Sequence, residues 1–584
     1  MGDFKDHFNK LIIFSSIFFL ITFYFCQSQT IKYALSKSSR ATGLLKKAPP
    51  YPGKIMSKAD IKAHSASFIN RAPVMAGTKN LALAAKGNLK VIAVRCQFPE
   101  ESNARINGNG RMKETLASIT ANMNDFSNYF KTVSFNNLNI TVDVSPEIYE
   151  APQKMSYYGG SGEDSFTLKQ LIAEIFNASQ ISTSKNQTDP AKYIDYDKYD
   201  AILLIHAGAG QEGDIANGGT GDTPDDIWSV GFNDANLVLA SGKKIDSVLI
   251  APETEVQDGN AENSPLGVTC HEFGHLLGLA DLYDTDNSSL GVGGWDLMGY
   301  GAWRNKGKTP CMPSSWTLIQ LGYMTPSEVL TDSLNLSITA LSDSPNALKI
   351  YAVSKESSPQ EYFLVENRQK KGFDAYVEAG ILIWHVDDSI GSISGNSVNY
   401  DETRKRLDLE VASGLDANGK DRLDYNVNGS KAVLNTDLFY AGYKTEFNAY
   451  TNPSSMSYNG RDASAGITVL SPPADVMNVN VTTKMAAIPQ KVEISKSYFY
   501  PNPVSGSNGK FYYFLNFTPS DVKIKIFDRN RKPVFERELA GRFGSNEFSW
   551  NLSSDDMSVV SNGTYFYRLT ADSAEKTGKI VVLK

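Results

Sequence analysis

The hydrophobic period changes once along this chain, and that change limits its fold more than any other feature. Up to about residue 330 two periods alternate. LKVIAVRCQF (89–98) and YDAILLIHAG (199–208) read as buried strands, and LNITVDVSP (138–146) alternates like a half-buried one. Between them, MKETLASITANMNDFSNYFK (112–131) places apolar residues three and four apart, as an amphipathic helix does. Beyond residue 335 only strand-like runs occur, among them ALKIYAVS, EYFLVENR and GILIWHVD. The pattern predicts an α/β (α+β) domain over 88–334, a β-rich domain packed on it over 335–484, and a last unit over 485–584. In that last unit VKIKIFD and TYFYRL alternate around an Asn562-Gly563 turn, as expected of a small β-sandwich.

At 584 residues the chain is too long for one core. Apolar content of 41% and charged content of 21% are those of a folded globular protein. A net charge of −7 excludes a general nucleic-acid binder, which needs a dominant basic face. The charge is unevenly spread. Residues 29–90 hold twelve Lys or Arg against the single acid Asp60, a balance of +11, so the remainder carries −18. A basic segment joined to an acidic body can dock on it, and residues 29–87 are expected to be a prosegment.

LIIFSSIFFLITFYF (11–25) is an uncharged run of fifteen residues, too short for a bilayer span and suited to a signal-peptide core, with cleavage after Ser28. The expectation is an exported, monomeric protein without a membrane-spanning segment in its mature form. Three cysteines remain after that cleavage: Cys96, Cys270 and Cys311. An odd count does not build a disulfide scaffold, although a Cys270–Cys311 bridge is conceivable.

Ser264-Pro265 is a helix start and Gly278 a helix stop. Between them stands CHEFGHLLG (270–278), with His271 and His275 four apart and so on one helix face. Cys270, Phe273 and Leu277 make an opposite, apolar face, and Gly274 removes bulk beside the histidines. Asp281, ten residues after His271, is placed to add a carboxylate. Two imidazoles and a carboxylate leave an open position on tetrahedral zinc, as a catalytic site requires, and bound water there has a pKa of about 7. Glu272 would take that water's proton and pass it to a leaving amine. The alternative is a buried helix with hydrogen-bonded histidines.

GGWDLMGYGAW (293–303) resembles the Met-turn of metzincin peptidases, with Met298 beneath the zinc and Tyr300 at the spacing of an oxyanion-stabilising tyrosine. HEFGHLLGLADLYD, GGWDLM, PSSWTLIQLGYMTP, EYFLVENRQKKGFD, GILIWHVD and the upstream IHAGAGQE together resemble the immune inhibitor A family of secreted bacterial metallopeptidases. The resemblance implies a zinc endopeptidase acting on proteins, made as a zymogen, with His271, His275 and Asp281 on zinc and Glu272 and Tyr300 in catalysis. One departure is Ile227-Trp228-Ser229-Val230, where the family often has a histidine after the tryptophan. The tail, YFYPNPVSGSNGKF through KTGKIVVLK, resembles the sorting domain of the type IX secretion system, implying recognition by that machinery and surface attachment or release.

Other signals are weaker. GLDANGKD (414–421) approaches a phosphate-binding loop but ends in Asp421 and carries Asp416, which exclude phosphate. Asp416, Asn418 and Asp421 are a candidate calcium set, as are Asp195, Asp197 and Asp200, and Asp284, Asp286 and Asn287; each pattern is also that of a turn. His206 and His385 end apolar runs and read as structural or substrate-lining. No G-x-S-x-G element supports a serine hydrolase. The rival to an enzyme is a catalytically silent surface protein that keeps a peptidase scaffold for binding.

Overall fold

The computed structural model describes the strand β1 (Lys46–Lys47) and residues 82–583, apart from short segments at 161–164, 181–192, 216–220, 356, 426–432, 461–462, 484–492, 516–520, 540 and 542–543. The expected signal segment and most of the expected prosegment lie outside the described residues. Among the described residues, no helix is long and apolar enough to cross a membrane.

Parallel strands need crossovers, and the first two here carry helices. β2 (Gly87–Gln97) leads to α1 (Leu116–Val133) and β3 (Leu138–Glu150). Then come α2 (Met155–Gly159), α3 (Ser165–Ser179) and β4 (Ala201–Ala209). β5 (Val230–Phe232), the hairpin β6 (Leu237–Val238) and β7 (Lys244–Ile245), and β8 (Val248–Thr254) complete the strands of this region. The sheet order is β1-β5-β8-β4-β2-β3; β3, β2, β4 and β8 run parallel, and β5 and β1 are antiparallel additions at one edge. Leu203, Ile205, Leu249 and Ala251 point to one face and meet α1, whereas Ile202, Leu204, Val248 and Ile250 point to the other and meet α3. β4 is therefore apolar without alternation because both of its faces are covered.

Helix α1 begins at Leu116, later than its apolar pattern. The amides of Lys113 and Glu114 are held by the Glu253 carboxylate, and Thr115 caps the first turn by accepting from the Ser118 amide at 3.1 Å. Helix α4 (Leu266–Leu276) follows β8, and α5 (Ser315–Gln320) ends this part of the chain.

The β-rich stretch is built from β9 (Ser327–Glu328), β10 (Ser333–Thr339), β11 (Leu348–Tyr351), β12 (Glu361–Arg368), β13 (Gly380–Asp387), β14 (Leu407–Leu409), β15 (Glu446–Phe447), β16 (Gly466–Val469) and β17 (Val476–Thr482). It forms sheets ordered β14-β13-β12-β11-β9 and β10-β17-β16-β15. Every residue of β12 and β13 is buried. Phe363, Val365, Ile381 and Ile383 face the four-stranded sheet, while Leu364, Leu382, Trp384 and Val386 join the hydrophobic cluster that contains α4. Each large apolar side chain so buried contributes about 1.5–3 kcal/mol, so this sheet is part of the core that holds the helix.

The last unit has β18 (Ile494–Tyr500), β19 (Gly509–Leu515), β20 (Val522–Phe527), β21 (Pro533–Leu539), β22 (Gly544–Trp550), β23 (Gly563–Ala571) and β24 (Ala574–Val582). These form a three-stranded sheet, β18-β19-β22, and a four-stranded sheet, β21-β20-β23-β24, whose inward residues make a cluster of their own. Val522, Ile524 and Ile526 are buried as their alternation requires.

The thiols of Cys96, Cys270 and Cys311 are free and buried, so the conceivable Cys270–Cys311 bridge is not formed. Burial pushes all three thiols up, away from the reactive thiolate.

Candidate metal centre

Helix α4 starts one residue after Pro265, where the Ser264 hydroxyl accepts from the Leu266 amide at 3.3 Å. It ends before Gly278, whose φ of +98° is the left-handed conformation that suits glycine. Every residue from Leu266 to Leu276 is buried, including His271, Glu272 and His275. The apolar face packs Phe273 edge-on against Phe126 and Phe130 of α1, at centroid distances of 5.1 and 5.0 Å.

Both imidazoles are oriented through Nδ1. His271 Nδ1–H donates to the Leu297 carbonyl at 2.9 Å, and His275 Nδ1–H donates to the Leu279 carbonyl at 3.1 Å. Both Nε2 atoms then face one oxygen, Asp281 Oδ1, at 2.9 and 3.1 Å. A neutral ring that donates through Nδ1 has a bare lone pair at Nε2. Two such lone pairs converging on a carboxylate oxygen form a donor set that suits a cation, and nitrogen with carboxylate oxygen is a set zinc accepts. The three ligand atoms lie within 4.8 Å of one another. Burial raises the Asp281 carboxyl, but the imidazoles of His275 and His271 outweigh it and hold the group below the usual carboxylate range.

Glu272 lies under the sheet edge. A methyl group placed on Gly231 of β5 would stand 3.4 Å from Glu272 Oε2 and 3.0 Å from the Glu272 carbonyl, so the strand crosses close over this residue. Asn233, just past β5, donates to the His275 carbonyl at 2.9 Å and ties the same edge to the helix. The expected prosegment contributes β1 here: Lys46 stands opposite Gly231 and Lys47 opposite Val230.

The turn at Met298 is fixed by Asp296. Its carboxylate accepts from the Met298 amide at 2.6 Å, the Ser314 amide at 2.6 Å and the Thr317 hydroxyl at 2.7 Å. That turn presents the Leu297 carbonyl to His271. Gly274 leaves room for Met298: a Cβ at Gly274 would sit 2.6 Å from Met298 Sδ. Tyr300 is fully buried, 5.9 Å centroid to centroid from Tyr283, and burial together with the Asp284 and Asp281 charges keeps its phenol protonated.

Two contributors escape the sequence reading. Tyr283 hydrogen-bonds Asp281 and is raised by burial and by the Asp281 and Glu272 charges. Asn396, in the β-rich stretch, bonds Asp281 through both its oxygen and its nitrogen. Tyr283 stands two residues after Asp281, close enough in sequence to be marked by it; nothing local marks Asn396.

The calcium expectations find little support. Asp195 pairs with Lys198, Asp197 accepts from Ser241, and Asp200 accepts from the Lys90 amide. Asp284 accepts from Asp286, Ser288 and Ser289, and Asp416 from Asn418, Lys420 and Tyr425, as turn carboxylates do. Asp421 instead joins Asp408 and Asp424, two carboxylates already held by the Lys405 ammonium at 2.7 and 2.6 Å. His206 is buried and lowered to about 4 by that burial. His385 lies between Glu361 and Glu410, at 3.1 and 3.2 Å. In the Ile227-Trp228-Ser229-Val230 segment, Val230 is buried in β5, Ser229 bonds Glu212, and Trp228 packs with Val268 and Trp303.

A buried histidine pair on a helix, facing a third ligand supplied after a glycine turn, is an arrangement of metallopeptidases. Residues 112–319 match the immune inhibitor A peptidase M6 catalytic domain, and residues 498–583 match the secretion system C-terminal sorting domain; the chain carries one of each. It is 28% identical over 239 residues to the pre-pro-metalloprotease PrtV of Vibrio cholerae serotype O1 (strain M66-2), covering 36% of this chain and 25% of that protein. It is 32% identical over 150 residues to immune inhibitor A of Bacillus thuringiensis subsp. alesti, covering 23% of this chain and 19% of that one. The chain thus spans a quarter or less of the length of these curated relatives. Among solved structures, dimeric latent PorU from Porphyromonas gingivalis matches 20% of this chain and 12% of its own at 20% identity, with a TM-score of 0.15, too slight a likeness to bear on the fold.

Proposed function

We propose that this chain is an exported, zinc-dependent endopeptidase whose catalytic domain is metzincin-like, followed by a β-rich domain and a C-terminal β-sandwich read by a secretion machinery. The observation that carries the reading is the convergence of His271 Nε2 and His275 Nε2, from the buried helix that also holds Glu272, on Asp281 Oδ1 beyond its end. His271, His275 and Asp281 would hold the zinc, which when bound supplies a Lewis acid that polarises the scissile carbonyl and acidifies the attacking water. Glu272 takes the proton from that water on a carboxylate oxygen and delivers it to the scissile nitrogen, which leaves as an amine. The buried Tyr300 phenol donates a hydrogen bond to the oxyanion as the carbonyl carbon becomes tetrahedral. Met298 packs against α4 in the space left by Gly274 and keeps the histidine turn rigid.

Latency belongs to the same reading. The basic prosegment is drawn to the acidic body, and β1 covers the sheet edge that passes over Glu272.

Glu272→Gln tests the mechanism. The variant is expected to bind one zinc per chain and to lose about 10²–10⁴ in kcat/KM for a denatured protein substrate, the span general acid–base catalysis supplies. Cleavage at the parent rate would overturn the role given to Glu272.

A further inference from the structure

Asp281 lies beyond the helix, in a stretch with no regular hydrogen bonding, where the nearby Tyr283 bonds its carboxylate. A carboxylate there has several rotamers, and only one aims Oδ1 at both imidazoles. A further pair of bonds reaches it from a distant part of the chain. The Asp281 amide donates to Asn396 Oδ1 at 2.7 Å, and Asn396 Nδ2 donates to Asp281 Oδ2 at 2.5 Å. The primary amide thus clasps the backbone and side chain of one residue, holding Oδ2 and leaving Oδ1 to the histidines.

Asn396 is itself well fixed. It is 2% exposed and sits in the turn between β13 and β14 at a φ of +54°, a conformation asparagine tolerates better than most residues. The turn is tight: a Cβ on Gly391 would fall 2.5 Å from the Ser397 carbonyl. Three residues on, Asn399 donates to the Leu282 carbonyl at 3.0 Å, so the turn grips the chain on both sides of the Asp281–Leu282 peptide.

We propose that Asn396 is a positioning residue of the metal centre: its amide selects the Asp281 rotamer that completes the ligand set. The β-rich stretch, which lies outside the segment matched to the peptidase family, is then an integral part of the centre. This rests on the reading of His271, His275 and Asp281 as metal ligands.

The test uses the full chain with Asn396→Gly, which suits the left-handed backbone while deleting the amide, and Asn396→Ser as a second deletion of Nδ2. Zinc affinity is measured by chelator competition, the visible absorption of the cobalt-substituted chain reports ligand geometry, and melting of the metal-free chains confirms that the variants fold. Partners of metal ligands are typically worth 10–100-fold in metal affinity. Both folded variants are therefore expected to bind zinc about 10–100-fold more weakly than the parent and to change the cobalt spectrum. A folded variant with the parent's zinc affinity and cobalt spectrum would overturn the role of Asn396 and leave the ligand assignment intact. A parent chain that takes up neither zinc nor cobalt would overturn the ligand assignment itself.

Discussion

Gly274 stands between the two histidines of α4, and its lack of a side chain has two opposing consequences. In a helix interior glycine is less favourable than alanine by about 0.8–1 kcal/mol, so Gly274→Ala ought to stabilise α4 taken alone. In the folded chain, however, the new methyl would stand 2.6 Å from Met298 Sδ, closer than such contacts allow. Met298 is fully buried, so its thioether has little free space to retreat into, and its backbone is held by Asp296 and Leu282. Overpacking of this kind costs about 1–3 kcal/mol. The packing penalty wins, and Gly274→Ala is expected to lower the melting temperature. The displaced turn also carries the Leu297 carbonyl that orients His271, so zinc affinity should fall in the same variant. A higher melting temperature with undiminished zinc binding would show that Met298 yields freely.

At the scale of elements, β13 brings a buried charge of its own. His385 lies between Glu361 and Glu410, stacked on Tyr458 at a centroid distance of 4.2 Å and packed against Phe363. Burial alone would push its pKa down, but the hydrogen bonds and charges of the two carboxylates raise it from 6.5 to about 9. A raised pKa means that folding favours the protonated ring. The stabilisation, about 3 kcal/mol for such a shift, is fully present below pH 6.5 and lost as pH rises through about 9. The urea midpoint should fall over that window, and His385→Gln should flatten the fall; the same slope in both chains would remove His385 as its source. What was legible in the sequence divides along similar lines. Helix α4 is legible because its punctuation is local: Ser264, Pro265 and Gly278 bound it, and the histidines share a face through the helical period alone. Strands β2, β4, β12 and β13 are legible as apolar runs. Asn396 is not, since it meets Asp281 across 115 positions and its type fits any surface turn. The calcium expectations go unsupported for a related reason: a spacing of acids cannot reveal whether backbone amides or a lysine already bond them. The bridge between Cys270 and Cys311 fails because pairing depends on geometry that cysteine number does not contain.

For the whole molecule, the question is where the proposed prosegment ends and the body begins. The change in hydrophobic pattern places the boundary at residue 87, but residues 82–87 are bonded to the body. The Leu83 amide donates to the Leu276 carbonyl at 2.9 Å, closing the C-terminal end of α4, and the Tyr323 hydroxyl donates to the Ala85 carbonyl at 2.6 Å. Ala82 Cβ would lie 3.3 Å from a Cβ on Gly278, so this segment lines the turn that leads to Asp281. Removing it would strip a partner from the helix that carries the histidines. By contrast, β1 holds the body through a two-residue pairing with β5, and the charge attraction behind it is screened by salt within about 10 Å at 0.1 M. Maturation should therefore cut upstream of residue 82. Among engineered chains, 82–584 is expected to hydrolyse casein at least about tenfold faster than 29–584, since a masked edge must open before substrate enters. The 88–584 chain should melt at a lower temperature than 82–584, having lost the Leu83 bond. Raising salt should increase the activity of 29–584 toward that of 82–584 as the 29–81 segment, with a balance of +9, loosens from the body at −16. Equal activity of 29–584 and 82–584 at low salt would show that β1 does not mask the site, whereas equal melting of 82–584 and 88–584 would return the boundary to residue 87.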